Sequence, residues 1–469
     1  MNDTALCERL DGPVDQAAAF EALFASERYA FWLDRGHSGV SLMGSAGAGA
    51  SVVTASVASG TLTRLDATGA VNETSHQSIF AFLRRELGRR PLDAGAADCV
   101  GWIGYEAGVD ALGLPAATSR YPDAALMRFD RSVAFDSSSI TITAEGTDAG
   151  REWMAETILT LHRLRQKPQP AEPPTVIEAV HSSHVLTSSA HSSVGSWRHS
   201  DDDYIAMVRA CQDAIVRGDA YVLCLTNELR IPLKVDAFAA YRALRTTNPT
   251  QRGGVVRADD LWLVSASPEQ FLRITPDGVV TTMPVKGTRP RGVDAADDAR
   301  LRGELVASEK ERAENLMIVD LMRNDLTRVA RLGTVEVTRL LEVETYASVH
   351  QLVSTVRAQL GDGKHAIDAI ESCFPAGSMT GTPKRSAISI LGALERGPRG
   401  IYSGCFGLFS SDGSVDVSMV IRSMIVDPTG VSIGAGGGIT SLSIPDEELA
   451  EVKLKARSIA AAARASAFH

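Results

Sequence analysis

Two pairs of glutamates lie three residues apart, Glu311 and Glu314 in EKERAENLMIVDL and Glu448 and Glu451 in DEELAEVKLKAR. On a helix that spacing puts both carboxylates on one face. Two such helices brought together would form an oxygen-rich anionic cup suited to Mg²⁺, which takes one or two carboxylates plus waters and substrate oxygens. Either pair alone reads as a solvated surface, but Glu314 precedes the apolar run LMIVDLM, which demands burial. Lys286 lies in MPVKGTRPRG (Met283–Gly292), after the strand-like VVTTM and beside a glycine. A lysine so placed can face a pocket, where burial would lower its pKa and make it a nucleophile or base; a surface loop carrying Lys286, Arg289 and Arg291 is the alternative. Arg422, inside the apolar strand-like segment VDVSMVIRSMIV, must pair with an acid or meet the anion of a ligand. Two glycine-rich segments, FPAGSMTGTPK (Phe374–Lys384) and IGAGGGIT (Ile433–Thr440), lack the spacing of nucleotide-binding signatures. Both remain suited to presenting backbone N–H groups to a carboxylate, because glycine permits close approach.

The elements that must hold these residues can be read after Trp197. Ser200 caps a helix whose apolar positions Ile205, Val208, Cys211 and Ile215 share a face and which ends at Gly218. A strand (YVLCLTNELRI), a helix around Phe238–Leu244, and strands near Leu261–Ala266 and on both sides of Pro276-Asp277-Gly278 follow. One long helical stretch, Ala295–Arg328, carries the first glutamate pair. A helix follows Pro383; then come three strands separated by Asp412-Gly413 and by Asp427–Gly430; and a last helix from Pro445 carries the second pair. The irregular order of strands, hairpins and helices predicts an α+β fold. Residues 1–165 form a more irregular N-terminal region, in which the run Gly44–Ser51 (GSAGAGAS) reads as a flexible hairpin. Residues 166–196, rich in Pro and Ser with His181, His184 and His191, read as a solvated linker. Residues 197–469, which carry all the candidate residues above, read as a second, more regular domain, catalytic if those residues act together.

The chain has 469 residues, 44% hydrophobic and 22% charged, which excludes a disordered or coiled-coil protein. Its net charge of −10, from 47 Lys+Arg against 57 Asp+Glu, argues against nucleic acid as a partner. No run approaches the ~18–20 apolar residues of a membrane span, and MNDTALCERLDGP does not read as a signal peptide. The six cysteines, Cys7, Cys99, Cys211, Cys224, Cys373 and Cys405, form no CxxC pair; they read as reduced thiols, with a cytoplasmic location expected.

The stretch from about Trp197 to Ala465 resembles the chorismate-utilising enzymes, a family that includes anthranilate, aminodeoxychorismate, isochorismate and salicylate synthases. The blocks that carry the resemblance occur in the family's order: SASPEQF, MPVKGTRPRG, EKERAENLMIVDLMRNDLTRVA, SVHQLVSTV, CFPAGSMTGTPK, YSGCFG, MVIRSM, and GAGGGI with its following Glu/Lys helix. YAFWLDRGHSGVSLMG and GWIGYEAG extend it more loosely towards the N-terminus.

The resemblance implies two packed, mainly antiparallel sheets flanked by helices, with strands from both halves of the chain. It also separates the chemistries. Anthranilate-forming members carry a small residue where this sequence has Lys286, whereas aminodeoxychorismate-forming members carry lysine. That lysine is taken to attack C2 of chorismate and displace the C4 hydroxyl before ammonia adds at C4. Glu269 matches the general acid/base. Glu314 and Glu451 match Mg²⁺ ligands, with Glu311 and Glu448 holding metal-bound waters. Arg422, Tyr402, Gly436, Gly438 and Lys455 match positions that grip the carboxylates of chorismate, and His350 and Thr380 match positions near the reacting hydroxyl. Val222 stands where hydroxylating members carry a water-activating lysine, which argues against isochorismate formation. FWLDRGHSG lacks the tryptophan-feedback signature, and NPTQRGGVVRADD departs from the usual NPSPY-type run. No cysteine lies in the Gly-x-Cys-x-Gly elbow of a glutamine amidotransferase, so the resemblance implies a separate amidotransferase subunit as ammonia source. The expected product is 4-amino-4-deoxychorismate, on the route to 4-aminobenzoate and folate; anthranilate is the alternative.

Overall fold

Tyr29–Asp34 (YAFWLD) is buried along its whole length and pairs with Gly253–Ala258, far along the chain. Cys99–Ile103 pairs in the same antiparallel way with Cys405–Phe409. Around these two seams a computed structural model, describing residues 5–36, 39–47, 49–87, 98–166, 195–346 and 349–468, forms two twelve-stranded sheets. The first runs from Leu6–Asp11 at one edge, through Tyr29–Asp34, Gly253–Ala258, Leu261–Ser265, Ser423–Asp427 and Gly430–Ile439, to Val222–Ile231. The second runs from Val285–Pro290 and Val349–Gln359, through Val415–Met419, Cys405–Phe409 and Cys99–Ile103, to Val71–Ser75.

Alternation of apolar residues along the strands makes the layers. Phe31, Val256, Leu263 and Ile425 of the first sheet meet Val52, Val100, Trp102 and Phe406 of the second in one core between them. Helices Asp201–Val216, Ala237–Thr247 and Pro445–Ala465 cover the outside of the first sheet, and Ile79–Leu87, Glu309–Thr327 and Ala366–Cys373 that of the second. Two packed antiparallel sheets flanked by helices are therefore what the chain forms. Among the described residues no helix is long and apolar enough to cross a membrane.

Five local expectations are corrected. The long helix is two, Ala295–Ala307 and Glu309–Thr327, broken at Ser308, whose extended backbone (φ −67°, ψ 107°) ends one and caps the next, its hydroxyl accepting from the Glu311 N–H. The segment around Lys286 is a strand, Val285–Pro290, paired with Val349–Gln359; its register shifts at Gly287, whose φ of +72° glycine tolerates. VDVSMVIRSMIV is two strands, Val415–Met419 in the second sheet and Ser423–Asp427 in the first. Arg422 lies at the crossing with φ +51°, not in mid-strand. The glycine run after Val431, a glycine-rich segment in the sequence expected to connect elements, is itself strand, because Val222–Ile231 pairs with it along one edge. Gly44–Ser51 closes no hairpin, since Ser41–Ser45 and Ser51–Ser56 belong to different sheets. Of the expected linker, residues 167–194, with His181, His184 and His191, lie outside the described residues.

Candidate active site

The break at Ser308 turns the first glutamate pair towards the Lys286 strand, and the helix Pro445–Ala465 brings the second pair to the same place. Between them lies a cavity of ≈ 1670 Å³. Lys286, Glu269, Glu311, Glu314, Glu448, Glu451, Lys455, Arg422, Tyr402, Gly436 and Gly438 all line it. Two expected residues do not. His350 is fully buried on the strand next to that of Lys286, where its ring nitrogens meet Thr345 Oγ1 and Asp298 Oδ1 at 2.9 Å each. Thr380 is also fully buried, its hydroxyl donating to the Ala376 carbonyl (3.1 Å), while its neighbours Ser378 and Met379 reach the cavity.

The charges facing this space are unevenly paired: Lys455 with Glu451 (2.6 Å) and Lys310 with Glu448 (2.7 Å) are close, the others loose. Lys286 Nζ is 4.0 Å from Glu314 Oε2, and Arg289 is 3.9 Å from Glu311. Burial works to lower the Lys286 pKa, as the sequence suggests, but Glu314, Glu269 and Glu311 outweigh it and raise the pKa. That corrects the expectation of a lysine depressed by burial: the surrounding carboxylates favour the ammonium. Burial pushes Glu269 up to about 7, with Lys286 and the Ser378 hydroxyl opposing. Glu314 also rises to about 7, from burial and its glutamate neighbours, against Lys286 and Lys310. Glu451 goes the other way; burial would raise it, but Lys455, with Nζ at 2.6 Å, holds it low, helped by Lys310 and Lys286.

Three features address carboxylates. Arg422 has no ion pair within 4 Å among the described residues, and burial lowers its pKa against the pull of Glu451. A guanidinium kept partly dehydrated and unpaired is a strong site for an anion. Lys455 Nζ donates to the Gly436 carbonyl (2.8 Å), which fixes its stem along the glycine strand. From Ile433 to Ile439 that strand is paired on one edge only, and Gly434–Gly438 line the cavity on the other. The Tyr402 ring packs on Gly434, where a Cβ would come within 2.1 Å of it.

The oxygen-only donor set suits a hard divalent cation. Glu448 is 1% exposed; its Oε1 accepts from Ser443 (2.7 Å) and Lys310 (2.7 Å), while its Oε2 is buried with no hydrogen-bond partner. A Cβ on Gly437 would lie 3.0 Å from that oxygen, and one on Gly438 2.9 Å from Glu314 Oε2, so the glycines keep both approaches open. Among the described residues no three His, Cys, Asp or Glu side chains are gathered closely enough to hold an ion as they stand. Lysines stand among them instead. Lys310 is the participant that the sequence reading missed; its only signal was its place between Glu309 and Glu311.

A cavity that sets the unpaired Arg422 and a group of glutamate oxygens around Lys286, carried on two antiparallel sheets, suits a small anionic ligand. The chain belongs to the chorismate binding enzyme family, whose sequence profile matches residues 30–461. It is 39% identical over 472 residues to the aminodeoxychorismate synthase of Streptomyces pristinaespiralis, a match covering 96% of this chain and 64% of that protein. It is 44% identical over 260 residues to anthranilate synthase component 1 of Thermus thermophilus, covering 55% of this chain and 56% of that protein. The crystal structure of anthranilate synthase component I from Streptococcus pneumoniae superposes with a TM-score of 0.70 at 26% identity, covering 92% of each chain. The chain thus spans slightly less than two-thirds of the length of its Streptomyces relative.

Proposed function

We propose that this chain aminates chorismate at C4 to give 4-amino-4-deoxychorismate. The observation that carries this reading is Lys286, its ammonium 4.0 Å from Glu314 and inside the same cavity as Glu269 and Arg422. Arg422 and Lys455, with the open edge of the glycine strand, receive the substrate's carboxylates. Lys286 must shed a proton before its nitrogen can bond to C2. Glu269, poised near neutrality, accepts that proton and delivers it to the C4 hydroxyl. As the C2–N bond forms, both ring double bonds shift, C1=C2 to C1=C6 and C5=C6 to C4=C5, the C4–O bond breaks and the hydroxyl departs as water. Ammonia then bonds to C4, both double bonds shift back, and the C2–N bond breaks to restore Lys286. Mg²⁺, held by Glu314 and Glu451 with Glu311 and Glu448 on its waters, would offset the substrate's ring carboxylate against the glutamates. Ammonia comes from glutamine through a separate amidotransferase, and the product serves 4-aminobenzoate and folate synthesis in the cytoplasm.

The test is mass spectrometry of the products formed from chorismate, Mg²⁺ and ammonium at mildly alkaline pH. A product that keeps the enolpyruvyl group and exchanges hydroxyl for amine is expected, and Lys286→Ala should lower its formation by on the order of 10³-fold or more. Anthranilate with pyruvate would move the chain to the reaction named for its Thermus relative. Full turnover by Lys286→Ala would refute the covalent route.

A further inference from the structure

Lys310 is the second residue of the helix Glu309–Thr327, whose first turn otherwise carries Glu309 and Glu311. A cation there opposes the helix dipole, a small cost that a partner outside the helix offsets. That partner is Glu448, in the first turn of the helix Pro445–Ala465, with Nζ to Oε1 at 2.7 Å. The same ammonium is 4.0 Å from Glu314 Oε1. One side chain, 35% exposed, thus bridges the two glutamate pairs, and Glu448 keeps its second oxygen unpartnered beside it. An ammonium on a flexible four-carbon stem is a weak and removable substitute for a divalent ion between two carboxylates.

We infer that Lys310 is an internal stand-in for the divalent cation: its ammonium bridges Glu448 and Glu314 in the metal-free enzyme and swings into solvent when the metal binds. This rests on the reading of the glutamates as a Mg²⁺ site. Lys310 then sets the metal affinity, because each metal ion must displace it, and it keeps the two helices together when the metal is absent. The charge balance is consistent with this exchange, since Glu269, Glu311, Glu314, Glu448 and Glu451 outnumber Lys286, Lys310 and Lys455 around the cavity, and a divalent ion in place of the Lys310 ammonium adds positive charge among them.

Two measurements test it, both independent of turnover. In Mn²⁺ titrations followed by electron paramagnetic resonance without substrate, Lys310→Gln should bind about tenfold more tightly than wild type, while Lys310→Arg, which keeps the charge, stays within about twofold. In wild type, the acetylation rate of Lys310 by N-acetoxysuccinimide, read by peptide mass spectrometry against Lys453, should rise when Mg²⁺ saturates the site; this arm holds even if a variant fails to fold. Unchanged or weaker Mn²⁺ binding by Lys310→Gln, or acetylation that is unchanged or falls, would overturn the stand-in role while leaving the metal site intact. No Mn²⁺ binding by wild type would remove the metal reading itself, and this inference with it.

Discussion

Two groups of buried charge lie close together in this molecule and are built in opposite ways. Around Arg399 every bond is made. Its guanidinium donates to both oxygens of Glu395 (2.8 and 2.6 Å) and to the carbonyls of Met379 and Cys224 (2.5 and 2.8 Å), while Glu395 also accepts from the Thr226 N–H and hydroxyl. Glu106 continues the knot, its two oxygens accepting from the N–H groups of Arg399 and Gly400 (2.8 and 2.9 Å). That turn leads directly into Tyr402, on the cavity wall. In the cavity, by contrast, only Lys455–Glu451 and Lys310–Glu448 are close among the described residues; the other pairs are left at 3.9–4.0 Å, Arg422 has no ion pair and one oxygen of Glu448 is unpartnered. Saturated charge holds a backbone in place. Unsaturated charge is held for a ligand.

Breaking the saturated group should have the largest effect. Arg399→Met leaves Glu395 buried without its partner and should cost about 3–5 kcal/mol in a urea titration, with activity lost as the Tyr402 turn loosens. A stability change below about 1 kcal/mol would show the knot to be dispensable. Glu269→Gln tests the unsaturated group. It should lower the proposed amination on the order of 10²–10³-fold, yet not destabilise the fold. The sign follows from the raised carboxyl: the folded state favours its protonated form, so the ionised glutamate weakens the fold as pH rises through about 7, and removing it should raise the thermal midpoint at pH 8. A marked fall in midpoint there would place Glu269 with the structural charges. The smallest effect concerns Glu314, also raised to about 7. Below that pH a metal must displace its proton, so Mn²⁺ affinity without substrate should rise about tenfold from pH 6 to pH 8. A flat profile would mean that Glu314 is already ionised.

The sequence made the chemistry of the cavity easier to read than its geometry. Glutamates three apart, a lysine beside a glycine and an arginine amid apolar residues are local patterns, and all of these residues reached the cavity. The periodicity also located helices Asp201–Val216, Ala237–Thr247 and Pro445–Ala465 to within a few residues. What escaped was mostly non-local. The Ser308 break has a local signal, Ser308 three residues before Glu311, a helix-start pattern that is masked because helix periodicity continues on both sides. The crossing at Arg422 depends on two sheets that no local window contains. The direction of the Lys286 pKa was misread because burial was visible in the sequence and the three glutamates opposing it were not, since they arrive on other elements. His350 and Thr380 carried family expectations, but in the structure they brace the strands and turns behind the cavity lining.

The two seams that knit the sheets bear on how the chain can be made. Tyr29–Asp34 and Cys99–Ile103 are flanked on one side by Gly253–Ala258 and Cys405–Phe409. During synthesis from the N-terminus, each therefore waits with an open, apolar edge until a distant segment leaves the ribosome, the second until most of the chain has emerged. The N-terminal region thus keeps apolar strand edges unpaired for the longest part of synthesis. A ribosome stalled before residue 405 would hold a sheet that can only pair with itself or with a neighbouring nascent chain.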